Sequence, residues 1–445
     1  MKSTGDSLQA PALVTYTYPR SCPSSRLFHI RVNGQPVFVH HTQVADFACI
    51  SFAGTVEVEI EVDGPVKNAV IRPLSRGLTA TVEGERIRFS LSSPQNLQIE
   101  IDRRKPLHFY ANPLEVEPPA ASDPGVLYFK AGQVYEVGEL ELQDNQTLYI
   151  EGGAVVKGVV VASQARNVRV CGRGVLDGGY FLNDSLRRRS MVFDRCRDVR
   201  VEDIIIIEPT TWMLVLGACE KVHVSNLKEI GEVISSDGID IVASRDVLIE
   251  GCFLKNNDDC VVIQALDWTK NETDIRPWRG NVENVVIRDS VFMNDGGGNA
   301  MEIGHELQAD SIRNITFRNC DVLHVHVRGA VFSIHNGDRA EVSDILWENI
   351  RIEHCYEMLI DFRVLKSMYS HDTERGTVRN IRLKDITWNR SIYNPGYTKS
   401  IIGGWDAAHM IKDVVFQNFY CDGKKVTNGD TLDLFTKQVS GLRFE

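Results

Sequence analysis

The sequence predicts an all-β protein, with a small N-terminal β-sandwich in residues 1–120 and a parallel β-helix in residues 121–445. Three observations predict it. Residues 26 to about 112 alternate apolar and polar side chains in short runs, a Pro-rich stretch without period follows, and from Asn167 onward one four-residue phrase keeps returning.

The runs LFHIRV, TVEVEIEV, RIRFSLS and NLQIEI have the period of two of half-buried strands, and the NGQP, DGP and EGE turns between them predict antiparallel pairing. The segment NPLEVEPPAASDPG, 112–125, is rich in Pro and small residues and marks the domain boundary. Beyond it come NVRV at 167, DVRV at 198, KVHV at 221, DVLI at 246, NVVI at 284, NITF at 314, DILW at 344, NIRL at 380 and DVVF at 413. The intervals of 31, 23, 25, 38, 30, 30, 36 and 33 residues are too irregular for a helical solenoid, and helix-forming sequence for a βαβ array is lacking.

A single phrase is one strand with a turn residue in front, so it cannot bury its apolar side alone. Stacked copies can. In-register parallel strands would form a continuous inner column of Val, Ile and Leu, with the turn residues aligned along an edge, in nine or ten coils. An antiparallel sandwich with periodic turns leaves the recurring Asn/Asp phase unexplained. The long intervals at 264–283 and 362–379 are expected to rise from the coils and wall a cleft.

No apolar run approaches the roughly 18 residues that span a bilayer, which argues against a membrane partner. A net charge of -11 without a basic patch gives no footprint for nucleic acid and disfavours a strongly anionic polymer. The ten cysteines occur singly, without CxxC spacing, so neither a zinc site nor a disulfide framework is expected; no metal and no cofactor is predicted. The opening MKSTGDSLQAPALVTYTYPR does not read as a signal peptide, and the expectation is a cytoplasmic chain, or a secreted one whose leader was removed. Oligomeric state is left open.

The chemistry-bearing feature is SSDGIDI at 235–241 followed by NNDDCVVI at 256–263. In a stacked solenoid, residues one coil apart lie side by side at about 4.8 Å. The 21 residues from Asp237 to Asp258 match one short coil, which brings Asp237, Asp258 and Asp259 onto one patch. Three acids held together cannot all ionise, and one protonated beside one ionised carboxyl is what glycoside hydrolysis requires. Asp240 is read as a turn-stabilising residue. GGGNAMEIGHE, 296–306, adds Glu302, His305 and Glu306 from the next functional coil, His305 to orient an acid or hold a sugar hydroxyl.

With GRGVLDGG (172–179), SSDGID (235–240), NDDCVVI (257–263) and IGHE (303–306), the sequence resembles the polygalacturonase family and its clan relative, the dextranase family, over roughly residues 125–425. The resemblance implies a right-handed parallel β-helix and an inverting glycoside hydrolase. It implies Asp258 as general acid, Asp237 with Asp259 as the water-activating pair, and His305 in support. Polygalacturonases continue with an Arg-Ile-Lys phrase that holds the uronate carboxylate; here the matching coil reads GAVFSIHNG, 329–337, so Ser333 and His335 stand without an Arg. Arg328, Arg363 and Lys366 lie close enough in sequence to substitute. The sandwich and Asn257 look more like the dextranase side, where the substrate is a neutral α-glucan.

The expected substrate-binding residues are therefore Glu302, Glu306, Ser333, His335, Arg363 and Lys366, with Trp268, Trp278, Tyr369 and Trp405 offering faces for sugar stacking. The expected partner is an α-linked polysaccharide or oligosaccharide. The alternatives are a polygalacturonase, a lyase or epimerase on the same fold, and a non-catalytic carbohydrate-binding β-helix.

Overall fold

The computed structural model describes residues 12–184, 187–267, 277–390 and 397–445. They form two compact units: the described residues up to Ala120 with Lys130–Val134 and Gly152–Ala154, and the remaining chain from Ala121. Among the described residues no helix is long and apolar enough to cross a membrane.

The first unit holds a six-stranded and a five-stranded sheet. Their apolar positions, such as Phe28, Ile30, Val58, Ile60, Ile87, Phe89, Leu97 and Phe109, share one buried core. Alternation produced this directly, since Val56–Val62 and Arg86–Leu91 bury every second residue. Pairing is antiparallel with one departure from expectation. Leu107–Pro113 runs parallel to Asp46–Ala53, its partner more than fifty residues earlier, a pairing that needs a long crossover rather than a hairpin.

The second unit is a right-handed parallel β-helix of three sheets. The phrases stack in register: Val168, Val199, Val222, Val247, Val285, Ile315, Ile345, Ile381 and Val414 are successive partners in the first sheet. Two residues on, Val170 to Phe416 form a second column, in which Phe317 stacks on Trp347. All of these side chains are buried.

The leading residue of each phrase has a physical reason. Asn167, Asp198, Lys221, Asp246, Asn284, Asn314, Asp344, Asn380 and Asp413 all have φ between 53° and 58°, the left-handed region that Asn and Asp tolerate best. Their amides also bond down the stack, Asn314 Nδ2 to Asn284 Oδ1 at 2.7 Å and Asn284 Nδ2 to Asp246 Oδ1 at 2.9 Å.

Two more coils precede the first phrase, through Val126–Phe129 and Thr147–Ile150, so the helix is longer than nine or ten. Their turn positions are Gly125 and Asn145, also at positive φ. Gln146 stands where the phrase has an apolar residue, which hides the repeat. All ten cysteines are free and buried.

The second sheet includes Lys228–Ile230, Phe253–Asn256, Val291–Asn294 and Asp321–Val325. The third, which carries the site, includes Met191–Asp194, Leu214–Gly217, Ile239–Val242, Val261–Ala265, Met301–Leu307, Ala330–Asn336 and Met358–Val364.

Candidate active site

Met191, Leu214, Ile239, Val261 and Met301 are successive partners at the start of the third sheet. Two residues before each lie Arg189, Trp212, Asp237, Asp259 and Asn299, one column at the turn into the sheet. Backbone bonds fix this register: Met213 N donates to Asp237 O and Gly238 N to Asp259 O, both at 2.8 Å, and Cys260 N to Asn299 O at 2.9 Å. Asp237 is therefore the coil neighbour of Asp259, and Asp258 lies one residue off the column. One carboxylate oxygen from each of the three lies within 4.8 Å of the others.

Their surroundings differ. Asp237 is buried, with Oδ1 lacking a hydrogen-bond partner, whereas Asp258 and Asp259 are half-buried. Asn299 donates to Asp259 Oδ1 through its backbone N at 2.6 Å and its Nδ2 at 2.8 Å. Burial, then the charges of Asp240, Asp258 and Asp259, hold the Asp237 carboxyl well above the usual range. Burial and the neighbouring Asp258 and Glu302 do the same to Asp259 against the Asn299 bonds. Burial pushes Asp258 up to about 6. The patch thus holds protons near neutrality.

Asp240 is not a turn residue. It lies within Ile239–Val242, fully buried, both carboxylate oxygens without a hydrogen-bond partner. Two-residue alternation explains this: Ile239 and Ile241 point into the coil interior, so Asp240 takes the opposite face, in line with Glu302, Ser333 and Asp361. Burial raises its pKa, and Arg189 opposes the shift. That guanidinium lies over the Trp212 ring at 4.4 Å. Neither Arg189 nor Trp212 was singled out by the motifs; their signal is the register position they share with the acids.

A second cluster adjoins the first. His335 Nδ1 lies 2.8 Å from Glu302 Oε1, and His335 Nε2 lies 3.0 Å from Asp361 Oδ2. Arg363 grips Asp361 with two bonds of 2.6 Å. Burial works against charge on His335, yet Glu302 and Asp361 overcome it and push its pKa up to about 10. Two cations face two carboxylates, and the cluster is close to neutral. His305 stacks on His335 at 4.4 Å between ring centroids, with Tyr369 at 5.3 Å on another side. Burial brings His305 down to about 4, so it is a neutral imidazole near pH 7.

Of the expected sugar contacts, Glu302 and Ser333 do not reach solvent. Ser333 Oγ donates to Met301 O at 3.1 Å, and Glu302 is taken up by His335. His335 and Glu306 are also buried, the latter pushed up to about 7 by burial. Arg363 is partly exposed, and Lys366, Tyr369 and Trp405 are exposed. Trp268 lies outside the described residues. Trp278 is not a stacking face: it is fully buried against Gly217, and its Nε1 donates to Asp194 Oδ1 at 2.8 Å.

The wall segment 365–376 is tied down from below. Buried Asp338 accepts from His371 N and Asp372 N, both at 2.7 Å, through Oδ1 and from Leu307 N at 3.0 Å through Oδ2. This anchors the loop that carries Tyr369.

A family model described as "Glycosyl hydrolases family 28" matches residues 137–395. A polygalacturonase of Chamaecyparis obtusa is 29% identical over 189 residues, 40% of this chain and 32% of that protein. A probable polygalacturonase of Arabidopsis thaliana is 26% identical over 176 residues, 38% of this chain and 35% of the relative. The chain thus matches about a third of the length of these curated relatives. Among solved structures, Dex49A from Penicillium minioluteum superposes with a TM-score of 0.66 at 14% identity, covering 96% of both chains. A polygalacturonase from Erwinia carotovora superposes with a TM-score of 0.53 at 15% identity, over 71% of this chain and 87% of the other. At these identities the superpositions carry the fold.

Proposed function

The chain belongs to family 28 of the glycosyl hydrolases, and from that premise we propose that it hydrolyses an α-linked polysaccharide or oligosaccharide, with Asp258 as general acid and Asp237 with Asp259 activating water. The observation that carries this reading is the convergence of three carboxyls within 4.8 Å in unequal surroundings. Asp258, off the column and less buried than Asp237, is suited to meet a leaving oxygen, and all three carboxyls are raised so that the patch has a proton to give near neutrality. Asp259, held by two donors from Asn299, is suited to orient a water with Asp237.

The favoured substrate is a neutral α-glucan. Uronate recognition needs an uncommitted cation, ideally an Arg fork. Here His335 is shared between two carboxylates and the Arg363 fork is engaged by Asp361. Exposed Tyr369 and Trp405 offer apolar faces to sugar rings.

Inversion rests on the family resemblance. The carboxyl oxygens lie closer than the roughly 6.5–9.5 Å usual between carboxyls of inverting enzymes. Proton NMR of the first product anomer decides this, and retained configuration removes the water-activating role from Asp237 and Asp259. A second reading, hydrolysis of galacturonan, is favoured by the polygalacturonase names of the curated relatives.

The test is a reducing-sugar screen of wild type and Asp258→Asn against dextran, other α-glucans, polygalacturonate and rhamnogalacturonan. The expected result is activity on an α-glucan that falls at least ~100-fold in the variant. Turnover of polygalacturonate alone overturns the neutral-sugar assignment, and a variant within a few-fold of wild type overturns the acid.

A further inference from the structure

A third group of chemistry-bearing side chains lies outside the acid column and has no part in the reaction proposed above. Asp295 follows the second-sheet strand Val291–Asn294, and one coil on, His324 and His326 lie at the end of Asp321–Val325. The spacing His-x-His puts both imidazoles on one side of the extended chain. Their rings stack at 4.4 Å and 13°. Asp295 Oδ1 lies 2.8 Å from His324 Nε2 and 3.1 Å from His326 Nδ1, and one donor atom from each residue falls within 4.8 Å of the others.

We propose that Asp295, His324 and His326 bind a divalent transition-metal ion of the zinc class. Two imidazole nitrogens and one carboxylate oxygen are a zinc donor set, whereas calcium and magnesium select oxygen donors. Ligand atoms about 2.0–2.2 Å from a tetrahedral ion lie roughly 3.3–3.5 Å apart, so the two Asp295 contacts have to open by about 0.2–0.7 Å and the stacked rings to tilt toward the ion. The other carboxylate oxygen is already held: buried Lys255 places its Nζ 2.9 Å from Asp295 Oδ2, while bonding Gly231 O at 3.2 Å. That outer contact orients Oδ1 toward the histidines, as ligand carboxylates are commonly oriented. His326, 44% exposed, leaves an approach from solvent, and the His354 ring lies 5.2 Å from its own.

Among the described residues, the other two clusters that converge in this way suit the ion less well. Asp237, Asp258 and Asp259 offer oxygen alone, and in the group of Glu302, His305 and His335 both nitrogens of His335 are committed to carboxylates. The proposed ion would bridge two consecutive coils next to Asn294, whose Nδ2 donates to the backbone oxygen of Asp258. Its place is therefore beside the turn that carries the acid.

Zinc chloride titrated by calorimetry into the metal-stripped full chain at pH 7.5 is the direct test, with cobalt(II) absorption as a second readout of donor geometry. One equivalent is expected to bind, with affinity falling at least 10-fold in His326→Ala, an exposed position, and in Asp295→Asn. Asp258→Asn and His305→Ala are expected to retain it. Absence of binding, or a His326→Ala chain with wild-type melting temperature and wild-type affinity, overturns the proposal.

Discussion

Asp258 differs from Asp237 and Asp259 in one respect that chemistry can use: it stands off their column. Its pKa is pushed up to about 6, chiefly by burial. A general acid works only while protonated, so loss of the Asp258 proton should bring kcat/KM down on the alkaline side, while protonation of the raised Asp237 and Asp259 pair brings it down on the acid side, giving a bell. A pH–rate profile of the free enzyme checks this, and a profile that Asp258→Asn leaves with the same alkaline limb would remove the general-acid role from Asp258. Which acids meet was legible from spacing, because the coil length is written in the repeats. Their inequality was not, since it comes from Asn299 and Glu302, forty or so residues further along. Asp240 was misread for a related reason: DGID looks like a turn until the strand is known to begin at Ile239.

At the scale of the element, the turns that enter the third sheet press backbone on backbone. A Cβ added to Gly298 would strike the Asp258 carbonyl carbon and the Asp259 nitrogen, and one added to Gly329 would strike Gly298 O. The run GGGNA is thus a stacking requirement imposed by the coil beneath it, in addition to any freedom its loop needs. Gly298→Ala should displace the acid turn, lowering kcat at least ~10-fold and costing roughly 1–3 kcal/mol of stability by overpacking. Steady-state kinetics beside a denaturant melt check both, and wild-type kcat would mean that the turn's position does not set the acid's. The expected wall at 362–379 is present as a loop fastened by Asp338. The other excursion could be read only in part, and its Trp278 went inward because Gly217, one side-chain short, leaves room for an indole.

For the whole molecule, the solenoid was legible because every coil must satisfy the same two demands, an apolar column inside and a left-handed residue at the turn. Lys221 keeps the second demand with the wrong residue type, and Gln146 breaks the first, so the phrase fades where other contacts compensate. The same interior makes stability depend on pH. Burial pushes Glu229 up to about 8 and Glu306 up to about 7, while two carboxylates hold His335 up to about 10. The unfolded chain gives up the two carboxyl protons near 4.5 and the histidine proton near 6.5, whereas the folded chain keeps them up to about 7 for Glu306, 8 for Glu229 and 10 for His335, so stability falls as pH rises from about 4.5 through 8. His40 and His305, brought down to about 3 and about 4 by burial, act in the opposite sense, but only below about 6.5, where the unfolded chain takes up their protons. Above pH 6.5 only the falling contributions remain, so melting temperature should decline from pH 6.5 toward pH 8. Glu229→Gln keeps the shape and the contact with Asn256, 3.2 Å from Oε2, while removing one titration. It should flatten the decline, by about 2–4 °C for each kcal/mol recovered. Calorimetric melts of both chains at pH 6, 7 and 8 decide it: parallel curves would mean that Glu229 ionises without cost, and that the interior of the coil is wetter than its packing implies.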